Sequence, residues 1–390
     1  MAINSALLHT DVQEFIRSYE GSLSDLAFAG SPFKSVTVLE LIQQIEGRNR
    51  TKKKLPTWYR TKNILYPPKL NLEQTSSEIT AEYKASLIEG KSLADISGGF
   101  GVDSFYFAQT VNSVHHFEIN TSLSEVVAHN FNQLERTNIT CFATDGLQAI
   151  RKQAYDVIYA DPSRRHDEKG KVYFLSDCVP NIPVNVGLLR KQSKILLLKT
   201  APMLDISVGI KELGAVTAIH IVAIDNEVKE LLWVISDMAS ETPVVNTVNV
   251  KKQETEQFSF TLGEPAEATY EAPSRFLYEP NAAIMKSGAF DTVSGAFKIK
   301  KLHKHTHLYT SESLREFPGR RFFIKDVVPY SKKEMRKAMK FDKANVATRN
   351  FPESVAIIRN KWKLKEGGDR YLFFSIIKNE EKVMLVCEKI

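Results

Sequence analysis

Between residues 91 and 238, seven short apolar runs alternate with stretches that suit helices, and this alternation limits the fold more than any other feature. The runs lie at 92–96, 113–118, 138–143, 155–160, 194–199, 217–224 and 229–236. Strands that alternate with helices pack as a parallel sheet with helices laid over it, so the chain is α/β and its sheet doubly wound. The last two runs, AIHIVAID and VKELLWVIS, are only a few residues apart. A parallel crossover takes about a dozen residues or more, so this pair must be an antiparallel hairpin. A parallel sheet that finishes in a hairpin differs from the dinucleotide-binding arrangement.

The first run leads into SLADISGGFGVDS, residues 92–104. A strand followed by Gly98, Gly99 and Gly101, and then by a helix from Val102, lets a ligand meet bare backbone, and the helix start favours negative charge. Dinucleotides and S-adenosylmethionine both suit such a turn. The dinucleotide fingerprint wants a third glycine where Ser104 stands. The pattern Asp-x-Gly-x-Gly-x-Gly fits Asp95 to Gly101, with Ser97 in place of its first glycine. Four successive strands then end in acids: Asp95, Glu118, Asp145 and Asp161. One such acid reads as a helix N-cap. Four in order point to a nucleotide-type cofactor, because ligands of open α/β sheets lie beyond the carboxyl ends of the strands.

These motifs resemble those of the class I S-adenosylmethionine-dependent methyltransferases, over roughly residues 75 to 238. The resemblance implies a Rossmann-like seven-stranded sheet and S-adenosylmethionine as cofactor. Asp95, Ser97, Gly98, Gly99, Phe100 and Gly101 match the first motif, which borders the methionine part. Glu118, with Ile119 beside it, matches the acid that accepts both ribose hydroxyls. Asp145 and Gly146 match the turn that meets the adenine amino group. Asp161, Pro162, Ser163 and Arg164 stand where the family keeps a catalytic [DN]-P-P-[aromatic] tetrapeptide, and Asp161 also borders the cofactor. The aromatic position is Arg164, followed by Arg165, which departs from the base-stacking pattern of amino-methylating members. An arginine can stack on a base or grip a phosphate. Lys199, at the end of the fifth run, is a candidate for the substrate side. Carbon-5 methylation of uridine needs a cysteine nucleophile, and none stands there.

More narrowly, the chain resembles bacterial candidate RNA methyltransferases that carry a small ferredoxin-like piece and a THUMP-like domain. The residues that carry this likeness are EPNAA at 279–283, THLYTS at 306–311 and ANVATRNFP at 344–352. Charge speaks in the same direction. The formal net charge is +6, and residues 319–390 hold 18 Lys and Arg against 9 Asp and Glu, leaving 34 against 37 elsewhere. An excess confined to one end suits a polyanion, most simply RNA. The helix expected after Ser331 carries Lys332, Lys333, Arg336 and Lys337, which with Arg349 are candidate RNA contacts. Residues 47–62 add seven basic side chains, no acid, and Trp58 and Tyr59. Basic residues interleaved with aromatics can track a phosphate backbone; a solvated linker with Trp58 in a core is the other reading.

Four regions are expected: helical residues 1–90, a methyltransferase domain at 91–275, a ferredoxin-like segment at 276–318 and a basic α/β THUMP-like module at 319–390. Capping boxes are expected at Thr75–Glu78, opening a helix through Glu89, and at Ser122–Glu125. Residues 239–275 extend the sheet or link domains. His303, His305 and His307 alternate, so on a single strand they share a face, but no acid or cysteine stands nearby and no metal is expected. Cys141, Cys178 and Cys387 suggest neither disulfides nor zinc. No apolar run reaches membrane-spanning length and no signal peptide is evident, so a cytoplasmic monomer is expected. Together these features predict a methyltransferase acting on a base in structured RNA, tRNA or rRNA. A protein or small-molecule substrate, or an RNA-binding protein that keeps the pocket without transfer, are the alternatives. A nicotinamide oxidoreductase is disfavoured by Ser104 and the hairpin.

Overall fold

The computed structural model describes residues 3–164, 174–236 and 242–390, and of Arg164 only the backbone. The chain forms two compact units. One holds the residues up to Thr217 and the segment that starts at Leu232, and the other holds Ala218–Leu231 and the chain from Thr242 on.

Six helices open the chain: α1 (Thr10–Ser18), α2 (Leu23–Ala29), α3 (Val38–Lys54), α4 (Pro56–Arg60), α5 (Lys69–Gln74) and α6 (Glu78–Ala85). Leu7, Val12, Ile16, Leu26, Leu41 and Ile45 meet in one apolar cluster, as their helical spacing requires. A capping box does start α3, where Thr37 Oγ1 accepts from the Glu40 amide and Glu40 accepts from the Thr37 amide. The box expected at Thr75–Glu78 is absent. Ser77 caps α6, and Glu78 turns away to accept from the amide and hydroxyl of Thr57 at 2.7 and 2.9 Å. That tertiary pair outcompetes the local cap and ties α6 to α4. The helix also ends at Ala85, short of Glu89.

One sheet contains nine strands, not seven: β1 (Gly90–Asp95), β2 (Val111–Phe117), β3 (Ile139–Phe142), β4 (Tyr155–Ala160), β5 (Ser193–Thr200), β6 (Ala218–Ile224), β7 (Glu227–Ser236), β8 (Val244–Val250) and β9 (Thr255–Thr261). Their order is β9-β8-β6-β7-β5-β4-β1-β2-β3. The five strands from β3 to β5 pair in parallel throughout. A two-residue turn links β6 to β7, and Asp225 and Asn226 both take positive φ, the geometry that matches the twist of a tight hairpin. The hairpin returns β7 inside β6 and leaves β6 at an edge. An unpaired edge is a template for further pairing. Here β8 fills it in parallel register, Val244 opposite Ala218, and β9 closes antiparallel on β8. This is why residues 244–261 extend the sheet. Between the early strands lie α7 (Val102–Phe107), α8 (Thr121–Gln133), α9 (Gly146–Ala149), α10 (Ile182–Lys191) and α11 (Ile206–Leu213). Asn120, not Ser122, caps α8, so the cap stands two residues earlier than expected, three residues after β2 ends at Phe117.

The second sheet has seven strands: β10 (Phe276–Pro280), β11 (Lys300–His303), β12 (Thr306–Ser311), β13 (Gly319–Pro329), β14 (Asn345–Arg349), β15 (Arg370–Ile377) and β16 (Glu381–Lys389). Their order is β11-β12-β10-β13-β16-β15-β14. Helices α12 (Ala282–Ser287), α13 (Phe290–Phe297), α14 (Lys332–Ala338) and α15 (Val355–Trp362) complete this unit. Both sheet faces are covered. Phe373 joins Leu277, Leu302, Leu308 and Phe322 on one side, while its neighbours Leu372 and Phe374 join Met335 and Ile358 on the other. The histidine run is not one strand. It folds as a hairpin in which His303 pairs with Thr306, so the three side chains do not share a face. No helix among the described residues is long and apolar enough to cross a membrane. No group of metal-ligating side chains is found among them either.

Candidate active site

The site is built on the end of β1, where Leu93, Ala94 and Asp95 are buried. Gly99 and Gly101 then take φ of +60° and +77°, in the left-handed region. Gly98 is pressed onto the end of β2. A Cβ there would stand 2.6 Å from the Phe117 carbonyl oxygen and 2.8 Å from the His116 ring. Gly101 is closed in the same way by Phe131 and Val127 of α8. The turn therefore exposes backbone because no side chain fits. Phe100 points inward, packing on Trp58 with ring centroids 6.3 Å apart, so only its backbone faces the turn.

Glu118, half-buried, lies across this turn. One carboxylate oxygen accepts from the Gly99 amide at 2.8 Å, the other from the Asn120 amide at 2.7 Å. Ile119 is 76% exposed beside it. Asp145 is exposed and caps α9 through the Leu147 amide at 2.8 Å. Gly146 lies so close to the end of β1 that a Cβ would approach the Ile96 backbone to 2.6 Å.

Ser97, the departure from the glycine pattern, joins two strand ends. Its hydroxyl accepts from the Asp161 amide at 2.7 Å and donates to Asp95 at 3.2 Å. Asp95 also accepts from the Ser104 hydroxyl at 2.7 Å, which explains why a serine stands where the dinucleotide fingerprint wants glycine. Burial pushes the Asp95 carboxyl up to about 7, and nearby Asp103 adds to this against the pull of Ser104 and Ser97. Burial likewise lowers the His116 imidazole to about 4. The Asp161 carboxylate forms an ion pair with Lys199 from β5. Pro162 and exposed Ser163 follow, and Ser163–Arg164 forms a short ladder with Cys178–Val179. The Arg164 side chain and Arg165 lie outside the described residues.

Beneath the turn is a cluster that sequence reasoning did not identify. Fully buried Lys84 of α6 stands 3.2 Å from Asp103 of α7. Asp103 also accepts from Tyr159 of β4 at 2.8 Å and from Ser76 at 2.9 Å. Burial opposes ionisation of Asp103, but the Lys84 and Lys199 ammoniums and these hydroxyls hold its carboxyl below the ordinary value.

In the second unit Lys332, Lys333, Arg336 and Lys337 all project from α14 into solvent, while Met335 is buried and Lys337 pairs with Glu334 at 3.1 Å. Arg349 of β14 is not free. With Arg320, which sequence reasoning did not single out, it forms an ion pair with buried Glu279.

Two family models match the end of the chain: a ferredoxin-like domain at residues 276–318 and a THUMP domain-like model at 319–389. Among solved structures, the crystal structure of a candidate methyltransferase from Porphyromonas gingivalis W83 is 28% identical, covers 100% of both chains and superposes with a TM-score of 0.90. A candidate methyltransferase from Streptococcus mutans in complex with SAH is 13% identical, with a TM-score of 0.30 over 40% of this chain and 94% of that one. The T. thermophilus 16S rRNA methyltransferase RsmC, in complex with AdoMet and guanosine, is 12% identical, with a TM-score of 0.32 over 44% of this chain and 43% of that one. No curated protein matches the sequence. Over its full length the chain is therefore similar to a candidate methyltransferase, and it ends in a ferredoxin-like and a THUMP-like domain, as the motifs led one to expect.

Proposed function

We propose that the chain is an S-adenosylmethionine-dependent methyltransferase acting on a base in structured RNA, in tRNA or rRNA. The observation that carries this reading is the set of four acids, Asp95, Glu118, Asp145 and Asp161, at or just beyond the ends of parallel β1 to β4 around a glycine turn. The residues fit the cofactor. Gly98 and Gly99 offer bare backbone to its methionine part. Each Glu118 oxygen uses one lone pair on a backbone amide, which fixes the carboxylate and leaves acceptors for two ribose hydroxyls. Asp145 is exposed, with an oxygen free of its cap for an adenine amino group. When bound, this cofactor supplies an electrophilic methyl group on sulfur.

The protein's own part is positioning. A base nitrogen needs little activation beyond a hydrogen-bond acceptor, exclusion of water and a near-attack geometry. Asp161 and the Pro162 carbonyl are the acceptors for an exocyclic amine. Ser97 holds the Asp161 amide, and Lys199 balances the Asp161 charge, so this acceptor is preset. The exposed cations of α14 supply phosphate contacts for RNA, which makes its binding salt-dependent. The test is a transfer assay with radiolabelled S-adenosylmethionine and total RNA from a strain lacking the gene, beside wild-type RNA. Label entering only the deletion-strain RNA is expected. No label in either, with cofactor binding intact by calorimetry, moves the substrate to a protein or small molecule, or removes transfer altogether.

A further inference from the structure

The basic stretch at 47–62 has no role in the site described above. Two of its seven cations are used internally. Arg50 pairs with Glu46 and Glu73 at 2.8 and 3.3 Å, and Lys54 donates to the Leu72 and Glu73 carbonyls. The other five are Arg48, Lys52, Lys53, Arg60 and Lys62. None of them has an ion pair to another described residue, and all but half-buried Arg48 are exposed. They lie on one structural piece. Arg48 and Lys52 are one helical turn apart on α3, with Lys53 adjoining. Tyr59 of α4 folds back so that the Arg48 guanidinium stands 4.0 Å over its ring. Arg60 adjoins Tyr59 in α4, and Lys62 follows two residues later. The dipole of α3 favours cations in its last turn, which accounts for Lys52 and Lys53 but not for Arg48, Arg60 or Lys62.

The same piece is anchored to the cofactor turn. Trp58, between these cations in sequence, is fully buried and packs on Phe100 of the turn and on Phe105 of α7, at 6.3 and 4.9 Å. Thr57 is held by Glu78 of α6. Trp58 is thus the core residue of this stretch, and through Phe100 and Phe105 it joins α4, which carries Arg60, to the segment that forms the glycine turn. We infer that the α3–α4 segment is a phosphate-binding surface of the catalytic unit, which grips the backbone of the RNA whose base enters the site. Arg48, Lys52, Lys53, Arg60 and Lys62 supply the charge. This rests on the RNA reading above.

The test uses the full chain, bulk tRNA as probe and binding measured across a salt series. The variant is Lys52→Gln, Lys53→Gln, Arg60→Gln and Lys62→Gln together, all at exposed positions. Each lost phosphate contact should flatten the log–log salt slope by about 0.7–0.9, so the fourfold variant should lose about 3 of slope. Affinity at low salt should drop at least about tenfold, with S-adenosylmethionine affinity unchanged by calorimetry. A wild-type slope in this variant, with a reduced one when Lys332, Lys333, Arg336 and Lys337 are changed to Gln, would overturn the inference and leave the RNA reading standing. No salt-dependent tRNA binding by the wild-type chain would overturn both.

Discussion

Two ion clusters, one in each unit, use similar charges under opposite conditions. In the first unit Lys84 and Asp103 are both withdrawn from water, Lys84 completely; Lys84 faces one Asp103 oxygen, and Tyr159 and Ser76 both donate to the other. In the second unit only the acid is buried. Glu279 receives Arg320 through Nε and Nη2 and Arg349 through Nη2, while the two arginine side chains stay 40% and 38% exposed. The closed cluster ties α6, α7 and β4 together under the glycine turn, and its charge is spent on structure. The open one holds two guanidiniums in place and leaves part of each facing solvent.

The contrast predicts different costs of breakage. Lys84→Met leaves a carboxylate buried without its cation, and removing one partner of a buried pair costs about 3–5 kcal/mol. Denaturant unfolding should show this loss, with a slope unchanged from wild type. The double variant Lys84→Met, Asp103→Leu should recover part of it, because two matched apolar groups no longer strand a charge. A loss under about 1 kcal/mol for Lys84→Met would break the comparison at its stronger end.

Glu118 sits between the extremes, half-buried and held only by backbone amides. Glu118→Ala should weaken S-adenosylmethionine binding by roughly tenfold or more, since hydrogen bonds to a charged group contribute about 1.5–3 kcal/mol each. Unchanged affinity by calorimetry removes Glu118 from the site. At the open cluster Arg349→Gln should cost less, at most about 1.5 kcal/mol of stability, because Glu279 keeps Arg320 and the site can rehydrate. A larger loss would mean that the exposed part of Arg349 is less solvated than its accessibility implies.

The parts of this chemistry that sequence revealed are those carried by local pattern. The glycine turn, the strand-end acids and the β6–β7 hairpin each depend on neighbours a few residues apart. The closed cluster does not. Lys84 and Asp103 lie on separate helices that meet only when the N-terminal region packs on the sheet, and Lys84 in an amphipathic stretch reads as a solvated residue. Glu279 and Arg349 are 70 positions apart and announce nothing locally. Caps failed for a related reason. Glu78 had two possible partners, and the distant Thr57 won over the local box. The eighth and ninth strands were ambiguous because their need arises from the edge that the hairpin exposes.

The smallest expected effect concerns two groups that touch the same glycine turn, and it sharpens the idea that burial there is structural. Asp95 is raised from an ordinary value of 3.8 to about 7, so between these values the folded chain holds a proton that the unfolded chain has lost. Stability from this group is present at low pH and declines as pH rises through the window. His116 is lowered from 6.5 to about 4, so between these values the unfolded chain holds the extra proton. Its contribution rises with pH over nearly the same window. The two slopes oppose, and the wild-type chain should show little net dependence from this pair. Asp95→Asn should therefore gain melting temperature relative to wild type as pH rises from about 4 to about 7. His116→Phe should show the reverse trend, with its advantage greatest near the acid end. Parallel difference curves for the two variants would mean that these groups are not buried in opposite protonation preferences, and the glycine turn would then owe its shape to the missing side chains of Gly98 and Gly101 alone.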